Sequence, residues 1–159
     1  MTFGGIGPKL ALITLPYIIL ATLVNQRYPE FMKMDFIGSE FSETAGYILI
    51  SIGLVFYAFT IVVFLADFKK GLLVTRGTFA LCRNPIYASF IVFFIPGLAL
   101  VLQSGMILSI ALVLYLNFKL SIHGENIVLE RKFGKVYETY RKNVNEIVPV
   151  PRLRNKKSI

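Results

Sequence analysis

The sequence predicts an all-α fold, a multi-pass transmembrane helix bundle of about four spans followed by a C-terminal amphipathic cytoplasmic helix. Three observations carry this expectation. Of the 159 residues, 55% are hydrophobic and 16% charged, with a mean hydropathy of +0.67, too apolar for a soluble domain of this length. Apolar runs of bilayer-spanning or near-spanning length recur along the chain. Basic residues collect on alternate sides of those runs, as expected of loops sorted to one membrane face. The length suits one domain, so 1–159 reads as a single integral membrane unit.

The first span, about 10–25, follows Pro8 and Lys9 and precedes Gln26 and Arg27. It is short, and Pro16 is placed to kink it. It also suits the apolar core of a signal peptide, although Ala21-Thr22-Leu23-Val24 offers no small-x-small cleavage site. A polar, aromatic loop carries the chain from Arg27 to Thr44. The second span, about 45–66, is nearly free of polar groups and rich in Ile, Val and Phe.

Pro85 stands where a helix accepts proline without losing a hydrogen bond, and opens a third span at about 86–103. Pro96 with Gly97 is placed to bend it. Gln103-Ser104-Gly105 is a tight hairpin connector to the fourth span, about 105–120. An amphipathic helix is expected over 125–143, with Leu129, Phe133, Val136, Tyr137, Tyr140 and Val144 on one face and Gly134 as a weak point. Pro149 and Pro151 end it, and 149–159 forms a basic tail.

With four spans, Lys9, the loop from Lys69 to Arg83, Lys119 and the tail share one side, leaving Arg27 and Lys33 opposite. The positive-inside rule then puts both termini in the cytoplasm, making anionic lipid headgroups, and not nucleic acid, the partners of the +8 charge. One cysteine, Cys82, allows no intramolecular disulfide. One histidine, His123, with no CxxC or HExxH, supplies no metal ligand set, and no internal repeat is visible.

Two clusters place polar groups at the ends of the last two spans. In the segment from Gly77 to Tyr87, Arg83 precedes a proline-started helix whose free N–H groups favour an anion. In His123-Gly124-Glu125-Asn126, Glu125 returns to the face of Arg83 because the hairpin is short. Together an arginine and a glutamate match a zwitterionic amino acid moiety, such as the methionine part of S-adenosylmethionine. Taken singly, Arg83 reads first as a snorkelling charge and Glu125 as a dipole-favoured helix acid. His123 reads as an interfacial residue, and Tyr87, Tyr137 and Tyr140 as interface or packing aromatics, with Tyr87 also suited to cation–π contact with a sulfonium.

The ordered set Gly77-x-Phe79, Arg83-Asn84-Pro85-Ile86-Tyr87, Glu125, Leu129, Phe133-Gly134, Tyr137, Tyr140 and Pro149 resembles the isoprenylcysteine carboxyl methyltransferases and the related phospholipid methyltransferases. The likeness covers roughly 72–151 and departs at three positions, where Phe79, Asn84 and Asn126 replace the usual tyrosine, histidine and second glutamate. It implies methyl transfer from S-adenosylmethionine to a lipophilic substrate entering from the bilayer, without a Rossmann glycine loop. It implies a cofactor mouth at Gly77, Arg83, Asn84, Pro85, Tyr87, Glu125 and Tyr137, with Arg83 and Glu125 as the residues acting on the donor. An isoprenylcysteine-like carboxylate is the expected acceptor and a phospholipid amine the alternative. A nicotinamide-dependent membrane sterol reductase and a non-enzymatic four-helix protein are the readings of other classes.

Overall fold

The computed structural model describes residues 6–34, 38–68 and 71–151. The side chain of Phe68, the two lysines of the expected basic loop at 69–70 and most of the basic tail lie outside the described residues. Helix α1 spans Gly7–Arg27 and runs through Pro16 as one element. Helix α2 spans Ser39–Phe68. A short 3-10 turn, Gly77–Ala80, leads to the third helical rod, Pro85–Val101. This rod is made of α3 (Pro85–Ala88), a π-helical stretch (Ser89–Phe94) and α4 (Ile95–Val101).

The bend expected at Pro96 thus takes the form of a wide π turn just before it. Proline lacks the N–H that would bond back to Val92, and its ring crowds that carbonyl; a locally wider helix relieves both. Gln103 adopts φ +47 in the hairpin, and Ser104 caps α5 by accepting from the Ile107 N–H at 3.2 Å.

Helix α5 spans Gly105–Phe133 without interruption, and α6 spans Lys135–Asn143. The separate amphipathic helix expected over 125–143 is therefore corrected. Lys119, His123 and Glu125 mark where the apolar run ends, not where the helix ends, and a lone Gly124 costs a helix interior only about 1 kcal/mol. The break falls at Gly134, which takes φ +52. Val136, placed on the apolar face by spacing, is 65% exposed, because only α6 turns with the new axis and it buries Tyr137 instead.

Helices α1, α2 and α5 are each long and apolar enough to cross a membrane, and Pro85–Val101 is a shorter apolar rod. Leu12, Val55 and Leu120 are 72%, 71% and 81% exposed, which water would penalise and hydrocarbon does not. Between helices the packing relies on close approach. A Cβ on Gly46 would lie 2.7 Å from the Gly97 carbonyl oxygen, so two glycines bring the backbones of α2 and α4 into contact. Polar pairs tie α1 to α5, with Tyr17 and Ser109 hydroxyls 2.8 Å apart and Asn117 donating to Thr14 at 3.1 Å.

These contacts fix which ends lie together. Ser104 donates to Asn25, and the Met34 N–H bonds to Gln103, so the α1–α2 connection and the hairpin share one end. At the other end Gly7 adjoins the Tyr87 hydroxyl, and the segment after α6 lies along residues 82–84. Both clusters picked out in the sequence are at this second end.

Candidate functional site

The site is built on three supports. The first is the turn Gly77–Ala80. Gly77 takes φ +61, and a Cβ there would come within 3.0 Å of Phe59 and 3.1 Å of Val63, so only glycine lets the turn sit flat on α2. Thr60, fully buried on α2, donates to the Thr78 hydroxyl at 2.8 Å and pins it.

The second support is the segment 144–147. Arg83 N–H donates to the Asn145 carbonyl at 2.8 Å, while the Asn84 backbone and side-chain amides both donate to the Glu146 carbonyl at 3.1 Å. Ile147 inserts into the apolar cluster of Leu10, Cys82, Ala88, Phe118 and Ile122. Burial pushes the Cys82 thiol up to about 12, so it packs as a neutral group. Pro85, fully buried, starts α3 directly behind this joint.

The third support is α6. The Tyr137 hydroxyl, buried, donates to Asn126 Oδ1 at 2.6 Å and accepts from Arg83 Nη1 at 3.4 Å. The Tyr140 hydroxyl donates to the Phe79 carbonyl at 2.6 Å, closing α6 onto the 3-10 turn. Burial raises both phenols above the ordinary tyrosine range, with the Arg83 charge opposing the rise in each. The charges of Arg83 and Glu125 act on the Tyr137 phenol in opposite directions, the first lowering and the second raising it.

Arg83 is almost enclosed, its side chain 9% exposed. Its Nη2 donates to Glu146 at 3.4 Å, its Nη1 to Tyr137, and its Nε, buried, has no hydrogen-bond partner. Glu125 is the counterpart. Its Oε2 is likewise buried and unpartnered, while the Ile6 backbone faces both its carboxyl and the Tyr87 hydroxyl. Tyr87 packs against Phe118 with ring centroids 5.3 Å apart. His123 is exposed and makes none of these contacts.

Leaving a buried polar atom without a hydrogen-bond partner costs about 1–3 kcal/mol or more, so one such atom on a basic and one on an acidic side chain, Arg83 Nε and Glu125 Oε2, call for an explanation. A donor without an acceptor and an acceptor without a donor are what a zwitterion with a carboxylate and an ammonium would satisfy. Those are the groups at the amino acid end of S-adenosylmethionine, and the residues present fit them.

Glu146 escaped the sequence reading. Its one signal was that it is the sole acid after Glu138, in an otherwise basic tail. Asn126, read as a departure, turns out to hold Tyr137. On the flank of α2 a laterally open, apolar groove of about 520 Å³ is lined by Ser51, Ile52, Val55, Phe56, Phe59 and Thr78. Its lining includes none of Arg83, Tyr87 and Glu125, and Thr78 links it to the site's 3-10 turn.

A family model described as phospholipid methyltransferase matches residues 41–136, more than half of the chain and inclusive of Arg83, Tyr87 and Glu125. The chain belongs to the phospholipid methyltransferase family. No curated protein and no solved structure gives a significant match.

Proposed function

We propose that this integral membrane member of the phospholipid methyltransferase family binds S-adenosylmethionine at Arg83 and Glu125 and methylates a lipophilic acceptor. The observation that carries the reading is the pair of unpartnered buried atoms, Arg83 Nε and Glu125 Oε2. Arg83 would receive the donor's carboxylate and Glu125 its ammonium, with Gly77, Asn84, Pro85, Tyr87 and Tyr137 forming the wall around them. When bound, S-adenosylmethionine supplies an electrophilic methyl group on a sulfonium.

The chain's own residues orient and desolvate. Tyr137 orients the Arg83 fork, and the Tyr87–Phe118 pair would give the sulfonium an aromatic, water-poor boundary. Glu125, engaged by an ammonium, is not free to take a proton, so an amine acceptor has to arrive deprotonated. The acceptor's hydrocarbon is assigned to the groove on α2, whose lining is apolar and open to the side.

A phospholipid amine stands ahead of the prenylated-cysteine carboxylate that the resemblance favoured, because the matching family model is one of phospholipid methyltransferases. The site is assigned to the cytoplasmic face with both termini. Gly7, two residues before Lys9, and the segment after α6 meet at it, and Lys119 pairs with Glu146 there.

Purified protein given radiolabelled S-adenosylmethionine with phosphatidylethanolamine vesicles or with a farnesylcysteine analogue separates the two acceptors. Label in the phospholipid is the expected result. Absence of label from both acceptors and from a total lipid extract overturns the assignment.

A further inference from the structure

The site contains an ion triad of Arg83, Glu146 and Lys119, whose acid is neither a motif residue nor within the family match. Glu146 lies past the matched region, on a segment tied down at Asn145 by the Arg83 N–H and at Ile147 by burial in the core. Its main-chain carbonyl takes two bonds from Asn84, and the next residue, Ile147, is 5% exposed in the core. Its carboxylate is therefore placed by the fold and is not the end of a free tail. One oxygen meets Arg83 Nη2 at 3.4 Å and the other meets Lys119 Nζ at 2.5 Å.

The inequality of those two distances matters. A carboxylate free to choose would close on a nearly buried arginine and form two parallel bonds through its fork, because desolvation strengthens the attraction. Here the shorter bond goes to Lys119, whose side chain is 47% exposed, and the arginine contact stays at the outer limit of hydrogen bonding. Arg83 keeps one nitrogen without a partner as a result.

We infer that Glu146 is a built-in rival of the donor's carboxylate for Arg83, and that Lys119 is a positioning residue that holds the rival aside. This rests on the donor-site reading above. The contact of Lys119 is with Glu146 and not with Arg83. Its effect is exerted by occupying Glu146, so that Arg83 retains an edge for an incoming carboxylate.

The design has a signature that simple structural support lacks, since removing the rival should cure the loss of its restraint. Titration calorimetry with S-adenosylhomocysteine, which carries the same carboxylate and ammonium, is run on the full chain and on Lys119→Met, Glu146→Gln and the double variant. Lys119→Met is expected to weaken binding tenfold or more and to raise KM for the donor, leaving kcat at saturating donor unchanged. The double variant is expected to return to within threefold of the unaltered protein, as is Glu146→Gln alone, whose amide still accepts from Arg83.

Equal weakening in Lys119→Met and the double variant overturns the inference, because the lysine would then support the fold or the insertion and not restrain an acid. Unchanged binding in Lys119→Met overturns it as well. Failure of the unaltered protein to bind S-adenosylhomocysteine overturns the donor-site reading itself, a result distinguishable from the other two.

Discussion

Tyr137→Phe is the most informative single change, because it removes one oxygen atom from the centre of the site and leaves the ring. The hydroxyl makes a short bond to Asn126 Oδ1 at 2.6 Å and a long one from Arg83 at 3.4 Å. Asn126 is 6% exposed, so its oxygen cannot turn to water, and an unsatisfied buried acceptor costs about 1–3 kcal/mol. That is a roughly 5- to 150-fold change in the folded-to-unfolded ratio. The longer arginine contact adds little to stability, though its loss frees Arg83 to move and is expected to weaken S-adenosylmethionine binding several-fold. Stability is read by thermal inactivation in detergent micelles, and binding by titration on the same samples. Replacing both partners, Tyr137→Phe with Asn126→Leu, removes the orphan and should recover most of the stability without recovering binding. A single variant as stable as the unaltered protein, or a double variant no better than the single one, would refute the argument that this hydroxyl satisfies a buried amide.

Further outcomes follow from the same geometry. Arg83→Ala and Glu125→Ala are each expected to abolish donor binding with a cooperative thermal transition still present, since each removes a buried atom that has no hydrogen-bond partner, Arg83 Nε or Glu125 Oε2. Arg83→Lys should fail too, because an ammonium lacks the fork that meets Tyr137 and Glu146 together; donor affinity unchanged in any of these would contradict the site. Gly46→Ala would place a methyl 2.7 Å from the Gly97 carbonyl, and overpacking of this kind should destabilise by about 1–3 kcal/mol, seen as a lower inactivation temperature. Burial raises the Cys82 thiol to about 12, so on the order of one thiol in ten thousand is ionised at pH 8, and iodoacetamide should label it only after unfolding. The raised value also sets a sign. The unfolded thiol ionises near pH 8.5 and the folded one near 12, so stability from this group is intact below about pH 8.5 and lost as pH rises through 12. Cys82→Ala should flatten that decline in an alkaline stability series.

Helical membrane character was legible in the sequence because hydropathy is a sum over neighbours in the chain and needs no knowledge of what packs where. The same holds for the break at Pro85, the hairpin at Gln103-Ser104-Gly105 and the disturbance before Pro96, each the local consequence of one residue's backbone chemistry. Helix ends were less legible. Polar side chains at Lys119, His123 and Glu125 end an apolar run, yet α5 continues to Phe133, since a helix leaving the bilayer keeps its own hydrogen bonds.

Gly77, Arg83, Asn84, Pro85, Tyr87, Glu125 and Tyr137 could be named from motif spacing, but not what each one touches. Which groups Arg83 meets, and which of its nitrogens is left without a partner, depends on Tyr137 and Glu146, 54 and 63 residues away in sequence. Spacing along one helix cannot encode a contact across three. The sequence by itself determined that this chain is a membrane bundle with an arginine and a glutamate at one end. The tertiary structure alone decided that both are buried with one atom unpaired, because that follows from how α6 and the segment behind it close over α3 and α5.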